Sequence, residues 1–173
     1  DLKLLYVGRI SREKNLQVLA SVMRKIRQVR NDVALIVVVE GPYLEEMQAE
    51  LVDLPVIFTG YLSGDALAQA YASSDIFLFP STVDTMGNVV VEAQASGVPV
   101  IVTDKGGPSE NMIDQETGYV VTADDRLDEH MAEAALRLVN DSCLLAGMKK
   151  NARAYARDRS FENSFLAFWN NYP

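Results

Sequence analysis

The chain has 173 residues, enough for one domain that buries about two thirds of the surface its unfolded chain would expose. Sixteen basic and twenty-four acidic residues give a net charge of -8, which excludes broad binding to nucleic acid, because that needs a dense cationic surface. Hydrophobic residues make up 49% and charged residues 23%, a balance typical of globular proteins and not of disordered ones.

Short apolar runs alternate with helical patterns in the first half of the chain. The pattern predicts a strand at 4–7, a helix at 11–30, a strand at 33–39, a short helix at 44–51, a strand at 56–59, a helix at 65–73 and a strand at 76–79. The second of these strands is rich in β-branched residues and apolar on both faces, which is typical of a buried parallel sheet.

The second half continues this alternation. The pattern predicts a helix at 88–96 that stops at Gly97, strands at 98–102 and 119–121, and helices at 125–140, 142–157 and 161–170. Strands and helices in alternation imply a parallel sheet with helices on both faces. We therefore predict an α/β fold, a doubly wound, Rossmann-like sheet of about six strands flanked by helices. In such sheets ligands bind beyond the carboxyl ends of the strands, so the residues just after strands matter most.

Two cations follow the first predicted strand. Gly8 permits a tight exit from the sheet, and Arg9 and Lys14 then stand at the start of a helix. Cations at that end of a helix oppose the helix dipole, so a bound diphosphate would explain their presence. Arg9 could then form a bidentate hydrogen bond with the diphosphate, and Lys14 would act as a point charge. The alternative is an ordinary solvated loop, because arginine and lysine usually lie on surfaces.

Two acidic residues flank a glycine after the fourth predicted strand. Gly87 lets backbone amides approach a ligand closely, at the start of the helix that carries Glu92, and Asp84 precedes the turn. Acceptors on both sides of a group of amide donors suit a nucleotide sugar, with ribose on one side, hexose on the other and diphosphate between. In the alternative interpretation Asp84 is a turn residue and Glu92 only compensates the helix start.

The remaining reactive side chains carry no predicted chemistry. His130 is the only histidine and stands in a polar helical stretch, so we expect a surface residue. Cys143 is the only cysteine; it cannot form an internal disulfide, and we expect it to be a partly buried packing residue. The sequence has neither a dinucleotide-binding fingerprint nor the spacing of metal ligands, so we expect no nicotinamide cofactor and no metal ion.

The apolar runs and the two ends of the chain indicate its cellular location. The longest strongly apolar run, at 34–39, is too short to cross a bilayer. The chain opens within a strand pattern, with no initiating methionine and no signal peptide. We therefore expect a cytoplasmic fragment of a longer protein. The predicted helix at 161–170 is rich in aromatic residues, and either a missing domain or the ordinary core could cover them.

Short segments along the whole chain occur in an order shared with a known enzyme family. They lie at 6–9, 13–15, 40–42, 58–61, 74–81, 87–93, 95–100, 106–107 and 117–118. No single segment is decisive, but the set covers essentially the whole chain. On these segments the chain resembles the C-terminal domain of family 4 glycosyltransferases, which are retaining enzymes with the two-domain B-type fold.

The resemblance implies roles for individual residues. Arg9 and Lys14 match the pair that holds the donor diphosphate and stabilises its departure. Asp84 and Glu92, with seven residues between them, match the family's two acidic motif positions, which contact the donor sugar and the ribose. Arg9, Lys14 and Asp84 are the residues expected to take part in catalysis. The other implied donor-binding residues are Gly8 at the turn, Glu40 and Tyr61 near the base, and Thr85, Met86, Gly87, Asn88 and Val89 through their backbone.

Two departures from the family pattern stand in this loop. The first acidic position is usually glutamate, and Asp84 is one methylene shorter, which can shift donor preference or bring in a bridging water. Met86 replaces the more usual phenylalanine, which should leave its backbone role intact.

The resemblance implies the donor-binding half of a retaining enzyme that transfers a hexose-like sugar from a UDP- or GDP-linked donor to an unidentified acceptor. Residues 1–173 would form this single domain, and an N-terminal acceptor domain absent from the chain would close over the donor, so the domain alone should be inactive. The donor and that domain are the expected partners, and any membrane contact should pass through the missing domain. A sugar-nucleotide epimerase or phosphorylase half-domain, and a non-catalytic binding module, stay open as alternatives.

Overall fold

The computed structural model describes residues 1–9, 12–38 and 41–159. Within them the strands are β1 (Leu2–Val7), β2 (Val33–Val38), β3 (Val56–Gly60), β4 (Ile76–Phe79), β5 (Val100–Thr103) and β6 (Gly118–Val121). The α-helices are α1 (Gln17–Arg27), α2 (Leu44–Glu50), α3 (Gly64–Ala72), α4 (Asn88–Ala95), α5 (Leu127–Val139) and α6 (Ser142–Asp158). Single 3-10 turns at Arg12–Lys14 and Pro108–Asn111 complete the regular structure of this part of the chain.

The six described strands form one parallel sheet in the order β3-β2-β1-β4-β5-β6. Every residue of the central strands β4 and β5 is buried, as expected for strands that are covered on both faces. The edge strand β3 instead alternates half-buried and exposed residues. The predicted doubly wound, Rossmann-like α/β fold is therefore confirmed.

The helices form two layers because each has an apolar stripe to bury. In α1 the buried residues Leu19, Met23 and Ile26 recur at helical spacing and face the sheet and its neighbours. Helix α1 packs against α2 and α5, whereas α4 packs against α3 and α6, which places one layer on each face of the sheet. In the described residues no helix combines the length and the apolar character needed to span a bilayer.

The sheet changes direction of growth between β1 and β4. The chain builds β1, β2 and β3 outward and then returns through α3 to place β4 on the other side of β1. The two strands pair through Leu4 with Ile76 and Leu5 with Phe77, so their carboxyl ends lie side by side. This is the switch point of an open α/β sheet, where ligands usually bind.

Some predicted bounds are wrong, for local reasons. The helix predicted from residue 11 begins only at Gln17, because Asn15 has a left-handed φ of 56° that interrupts the turn before it. The strand predicted from residue 98 begins at Val100, since the Val98 N–H closes the end of α4 by donating to the Ala93 carbonyl and Pro99 has no N–H.

Two further predictions concern side chains near the C-terminal end. The expectation that Cys143 is partly buried is wrong, because it lies exposed in the first turn of α6. The aromatic helix predicted at 161–170 lies outside the described residues.

Candidate functional site

A cleft of about 420 Å³ opens at the carboxyl ends of β1 and β4. The loops after both strands and the first turn of α4 line it, so the two groups of residues singled out in the sequence meet here. The lining residues are Tyr6, Gly8, Arg9, Lys14, Phe79, Asp84, Thr85, Met86, Gly87, Asn88 and Val89. The cleft therefore lies at the switch point that the strand order creates.

An ion pair joins the two loops across this cleft. The Lys14 Nζ lies 2.6 Å from the Asp84 Oδ1, and the two side chains are 17% and 22% exposed. The sequence assigned these residues to different parts of a ligand, and the structure brings them into direct contact. The second carboxylate oxygen of Asp84 is buried and has no hydrogen-bond partner among the described residues. Any anion that binds Lys14 must therefore share it with Asp84.

Asn15 holds Lys14 in place. Its left-handed backbone, which asparagine tolerates better than most residues, turns the chain between the 3-10 turn and α1. Its side-chain amide lies 3.4 Å from both the Pro80 carbonyl oxygen and the Thr82 hydroxyl, in the loop after β4. The position of the Lys14 ammonium group is thus tied to the loop that carries Asp84.

Tyr6 holds the backbone of the residue that carries the other cation, Arg9. Its buried ring stacks on Phe79, with 6.2 Å between centroids, and its hydroxyl donates to the Arg9 carbonyl oxygen at 3.1 Å. Burial, and then the negative charge of Asp84, raise the pKa of the Tyr6 hydroxyl, which keeps it protonated as a donor. Arg9 is exposed, and the described part of the chain places no carboxylate within ion-pair distance of it.

The N-terminus of α4 opens into the cleft without a side-chain cap. Gly87 is the N-cap residue, with a left-handed φ of 64°, and no side chain accepts from the first amides of this helix. In the first turn the Val90 N–H donates to the Gly87 carbonyl oxygen at 2.8 Å, which leaves the N–H groups of Asn88 and Val89 without an acceptor in the helix, and the helix dipole adds positive potential. With Arg9 and Lys14 beside it, this helix end has the chemistry of an anion-binding site.

Glu92 lies one turn further along α4, on the exposed side of the helix, and does not line the cleft. One of its carboxylate oxygens, Oε2, accepts a hydrogen bond of 2.9 Å from the buried Tyr71 hydroxyl. Burial, and then the charge of Glu92, raise the pKa of Tyr71, so its hydroxyl stays a donor. Tyr71 therefore fixes the orientation of a carboxylate next to the cleft.

Neither of the two residues assigned to the nucleobase of the donor, Glu40 and Tyr61, is among the described residues that line the cleft. Tyr61 follows β3, which is two strands away from β1, and it is 69% exposed. It does not line the cleft. Glu40 lies outside the described residues, so its assignment stays a prediction.

Two adjacent glycines after β5, Gly106 and Gly107 (the glycine pair), pack against the loop between β4 and α4 (the cleft loop). The Gly107 N–H donates to the Asp84 carbonyl oxygen at 2.9 Å. A Cβ atom on Gly107 would overlap the Thr85 carbonyl oxygen, so no larger residue fits without moving the backbone of the cleft loop. The backbone next to the Asp84 carboxylate is thereby fixed.

A larger groove of about 810 Å³ lies between α4 and α6 and carries the cations Lys150, Arg153, Arg157 and Arg159. Val91 and Ala95, later in α4, line it, so it is away from the carboxyl edge of the sheet. Size alone would favour it as a binding site. The smaller cleft is the better candidate because two strand ends, an uncapped helix and a polar network converge there.

Metal-binding side chains do not gather in this part of the molecule. Across residues 1–9, 12–38 and 41–159, His, Cys, Asp and Glu form no group of three or more that could hold a metal ion. The absence of a metal requirement stays a prediction. His130, in α5, contacts the Thr122 carbonyl oxygen through Nδ1 at 3.2 Å and is not part of the cleft.

Sequence reasoning missed the supporting residues Tyr6, Asn15 and Tyr71. A signal existed for the two tyrosines, since a tyrosine within an apolar stripe brings a hydroxyl that must find a partner when buried. The identity of that partner could not be read from spacing, because Tyr71 and Glu92 lie on different helices.

The comparison with known families covers most of the chain. The sequence profile of the family described as glycosyl transferases group 1 matches residues 1–141. Sulfoquinovosyl transferase of Arabidopsis thaliana is 43% identical over 124 residues, which are 70% of this chain and 24% of that protein. A GDP-mannose-dependent alpha-mannosyltransferase of Mycolicibacterium smegmatis is 39% identical over 119 residues, which are 69% of this chain and 30% of that protein. The chain is thus similar to a minor part of each relative's length.

Solved structures share the fold. Sucrose-phosphate synthase of Thermosynechococcus elongatus has a TM-score of 0.82 and 26% identity, covering 98% of this chain and 45% of that one. An Anabaena protein in complex with UDP-glucose has a TM-score of 0.82 and 23% identity, covering 98% of this chain and 48% of that one. Both likenesses agree with the B-type glycosyltransferase fold. Because the family profile matches most of the residues, the chain belongs to the glycosyl transferases group 1 family.

Proposed function

We propose that this chain is the donor-binding domain of a retaining glycosyltransferase that transfers a hexose-like sugar from a nucleoside diphosphate sugar. One observation carries the proposal. Arg9, Lys14 and the uncapped N-terminus of α4 converge on one cleft at the switch point of the sheet. Two cations and a set of backbone donors facing one space suit a diphosphate better than a neutral ligand.

The same groups give the site its chemical role. When the bond between the sugar and the diphosphate of the donor breaks, negative charge builds up on the departing diphosphate. Lys14, which Asp84 holds, and the first amides of α4 stabilise that charge because they are fixed in place before the reaction, and the exposed Arg9 adds a second cation at the cleft. This arrangement supplies the stabilisation from the protein itself, so we propose that transfer needs no metal ion.

Asp84 has two functions in this proposal. Through Oδ1 it orients the Lys14 ammonium group, and through its buried, unpartnered Oδ2 it offers an acceptor next to the cleft. A buried carboxylate oxygen without a partner is rare, and a donor-sugar hydroxyl or a bridging water would satisfy it. The short aspartate side chain thus serves the lysine and the donor together.

The whole enzyme requires more than this chain. The matched relatives are much longer, and we propose that an N-terminal domain supplies the acceptor site and closes over the donor. Retention of configuration follows from the resemblance to family 4. For the base, relatives of this chain depend on GDP-mannose, whereas a structural neighbour is solved with UDP-glucose, so UDP and GDP are the two donors to test.

Removing the Glu92 carboxylate tests the ribose contact. In calorimetric titrations of the purified chain with UDP and GDP, we expect Glu92→Ala to weaken binding of the preferred nucleotide by about 1 to 3 kcal/mol, which is about five- to 150-fold. Glu133→Ala is the matched control, since Glu133 is an exposed glutamate within α5. Equal affinity of the two variants would contradict the assignment of Glu92, and no binding of either nucleotide to the parent chain would contradict the proposed function of this domain.

Removing the Tyr71 hydroxyl tests how Glu92 is held. We expect Tyr71→Phe to weaken nucleotide binding by about 0.5 to 1.5 kcal/mol, because Glu92 loses the donor that orients it but keeps its charge. In the Glu92→Ala background the same substitution should have no further effect on affinity. Calorimetry on the two single variants and the double variant measures this coupling, and additive losses would show that Tyr71 acts independently of Glu92.

A further inference from the structure

We infer that Asn111 is a positioning residue that orients the backbone amide at the start of α4 toward the bound phosphates. The inference rests on the proposed function, and it assigns a role to a residue that does not touch the cleft. Asn111 ends the 3-10 turn between β5 and β6. Its side-chain amide nitrogen donates a hydrogen bond to the Met86 carbonyl oxygen, in the cleft loop.

Peptide geometry converts this bond into control of an amide donor. The Met86 carbonyl and the Gly87 N–H belong to one planar, trans peptide group, so they point in opposite directions. Met86 and Gly87 line the cleft, whereas Asn111 is not among its lining residues and bonds the Met86 carbonyl oxygen from outside the cleft. By holding the carbonyl on its own side, Asn111 turns the Gly87 N–H away from itself and toward the cleft.

The peptide group between Met86 and Gly87 needs this hydrogen bond to keep its orientation, because one of its two residues is a glycine. Gly87 has a φ of 64°, and a glycine reaches positive and negative φ with similar ease. A rotation of the whole peptide between Met86 and Gly87 would therefore meet little steric resistance. It would turn the carbonyl into the cleft, where an oxygen would repel a phosphate. The bond from Asn111 opposes that rotation.

Asn111 is itself held firmly. Its carbonyl oxygen accepts a hydrogen bond of 2.6 Å from the side-chain amide of Gln94, which is fully buried within α4. The same Gln94 nitrogen also donates to the Val90 carbonyl oxygen at 3.2 Å. The connections thus run from α4 through Asn111 to the loop that leads into α4. Because Gln94 holds Asn111 in place, the Asn111 side chain can set the orientation of the peptide group between Met86 and Gly87.

The test replaces Asn111 with leucine, which removes the donor without adding charge. The control is Asn151→Leu, because the Asn151 side chain also donates to a backbone carbonyl, that of Glu116, at 3.2 Å, far from the cleft. Each variant of the full 173-residue chain is titrated with UDP or GDP and, by NMR, with the matching nucleoside. The Gly87 amide resonance is recorded without ligand. If Asn111→Leu does not fold, Asn111→Ala replaces it.

We expect Asn111→Leu to weaken diphosphate binding about tenfold, while affinity for the nucleoside and all values for Asn151→Leu stay unchanged. We also expect the Gly87 amide resonance to shift without ligand, because its peptide is no longer held. A merely structural role would lower both affinities together. Equal losses for both ligands, or an unchanged Gly87 resonance, would overturn the inference. A parent chain that binds neither nucleotide would contradict the proposed function instead, and the Gly87 resonance would still decide the role of Asn111.

Discussion

Replacing Lys14 with alanine should weaken nucleoside diphosphate binding by about 2 to 4 kcal/mol, which is about 30- to 900-fold. Two effects add. The ligand loses a cation, and the Asp84 carboxylate, 2.6 Å from the Lys14 ammonium group in the native pair, keeps its negative charge next to the phosphates. Both side chains are mostly buried, so solvent screens this repulsion less than it would on an open surface. Calorimetry with the preferred nucleotide measures the loss.

A control for net charge is available in α1. Lys25 pairs with Asp128 and Glu129, each at 3.5 Å, away from the cleft, so Lys25→Ala makes the same change in net charge without touching the site. We expect it to leave nucleotide affinity within about twofold of the parent. Adding Asp84→Ala to Lys14→Ala should recover part of the loss, since it removes the unpaired carboxylate. If Lys14→Ala and Lys25→Ala behave alike, Lys14 is not a phosphate ligand.

Gly107→Ala should abolish measurable nucleotide binding and lower the free energy of unfolding by about 1 to 3 kcal/mol. The Gly107 φ of -79° suits any residue, so the cost is steric and not conformational. A methyl group there overlaps the Thr85 carbonyl oxygen, which belongs to the backbone and cannot rotate aside like a side chain. The loop that carries Asp84 must then move away from its support. Urea unfolding and calorimetry measure the two consequences.

The control for this substitution lies in α6. Gly147 has no neighbouring heavy atom within 4 Å of an added Cβ, and it stands inside a helix. Gly147→Ala should therefore raise the free energy of unfolding by about 0.5 to 1 kcal/mol, with nucleotide binding unchanged. The two alanine variants thus have opposite expected signs. A Gly107→Ala variant that is as stable as the parent and binds nucleotide normally would show that the glycine pair does not support the cleft.

The fold could be predicted because its signals are local. Buried parallel strands are short, continuous apolar runs, and helices leave a periodic stripe, so each element is visible in its own stretch of sequence. The order of elements then restricts the topology, since crossovers between parallel strands are right-handed. The site loops follow from the same reasoning, because in α/β sheets ligands bind at strand ends.

The contacts within the site could not be predicted in this way. Lys14 and Asp84 are 70 residues apart in the chain, and their pairing depends on which strands become neighbours and on how far each side chain reaches. The same holds for Asn111 and the Met86 carbonyl, 25 residues apart. Even within one segment, the left-handed Asn15 shortened the helix predicted after β1. Turn conformations and contacts between loops are settled by tertiary packing.

Amide hydrogen exchange locates the bound diphosphate on the chain. The chain is compared with and without saturating UDP or GDP. We expect slower exchange in the loop at 84–88 and around Lys14, with no change near Arg153 in the groove between α4 and α6. Slower exchange around Arg153 with an unchanged loop at 84–88 would place the ligand in the groove between α4 and α6 and contradict the proposed donor site.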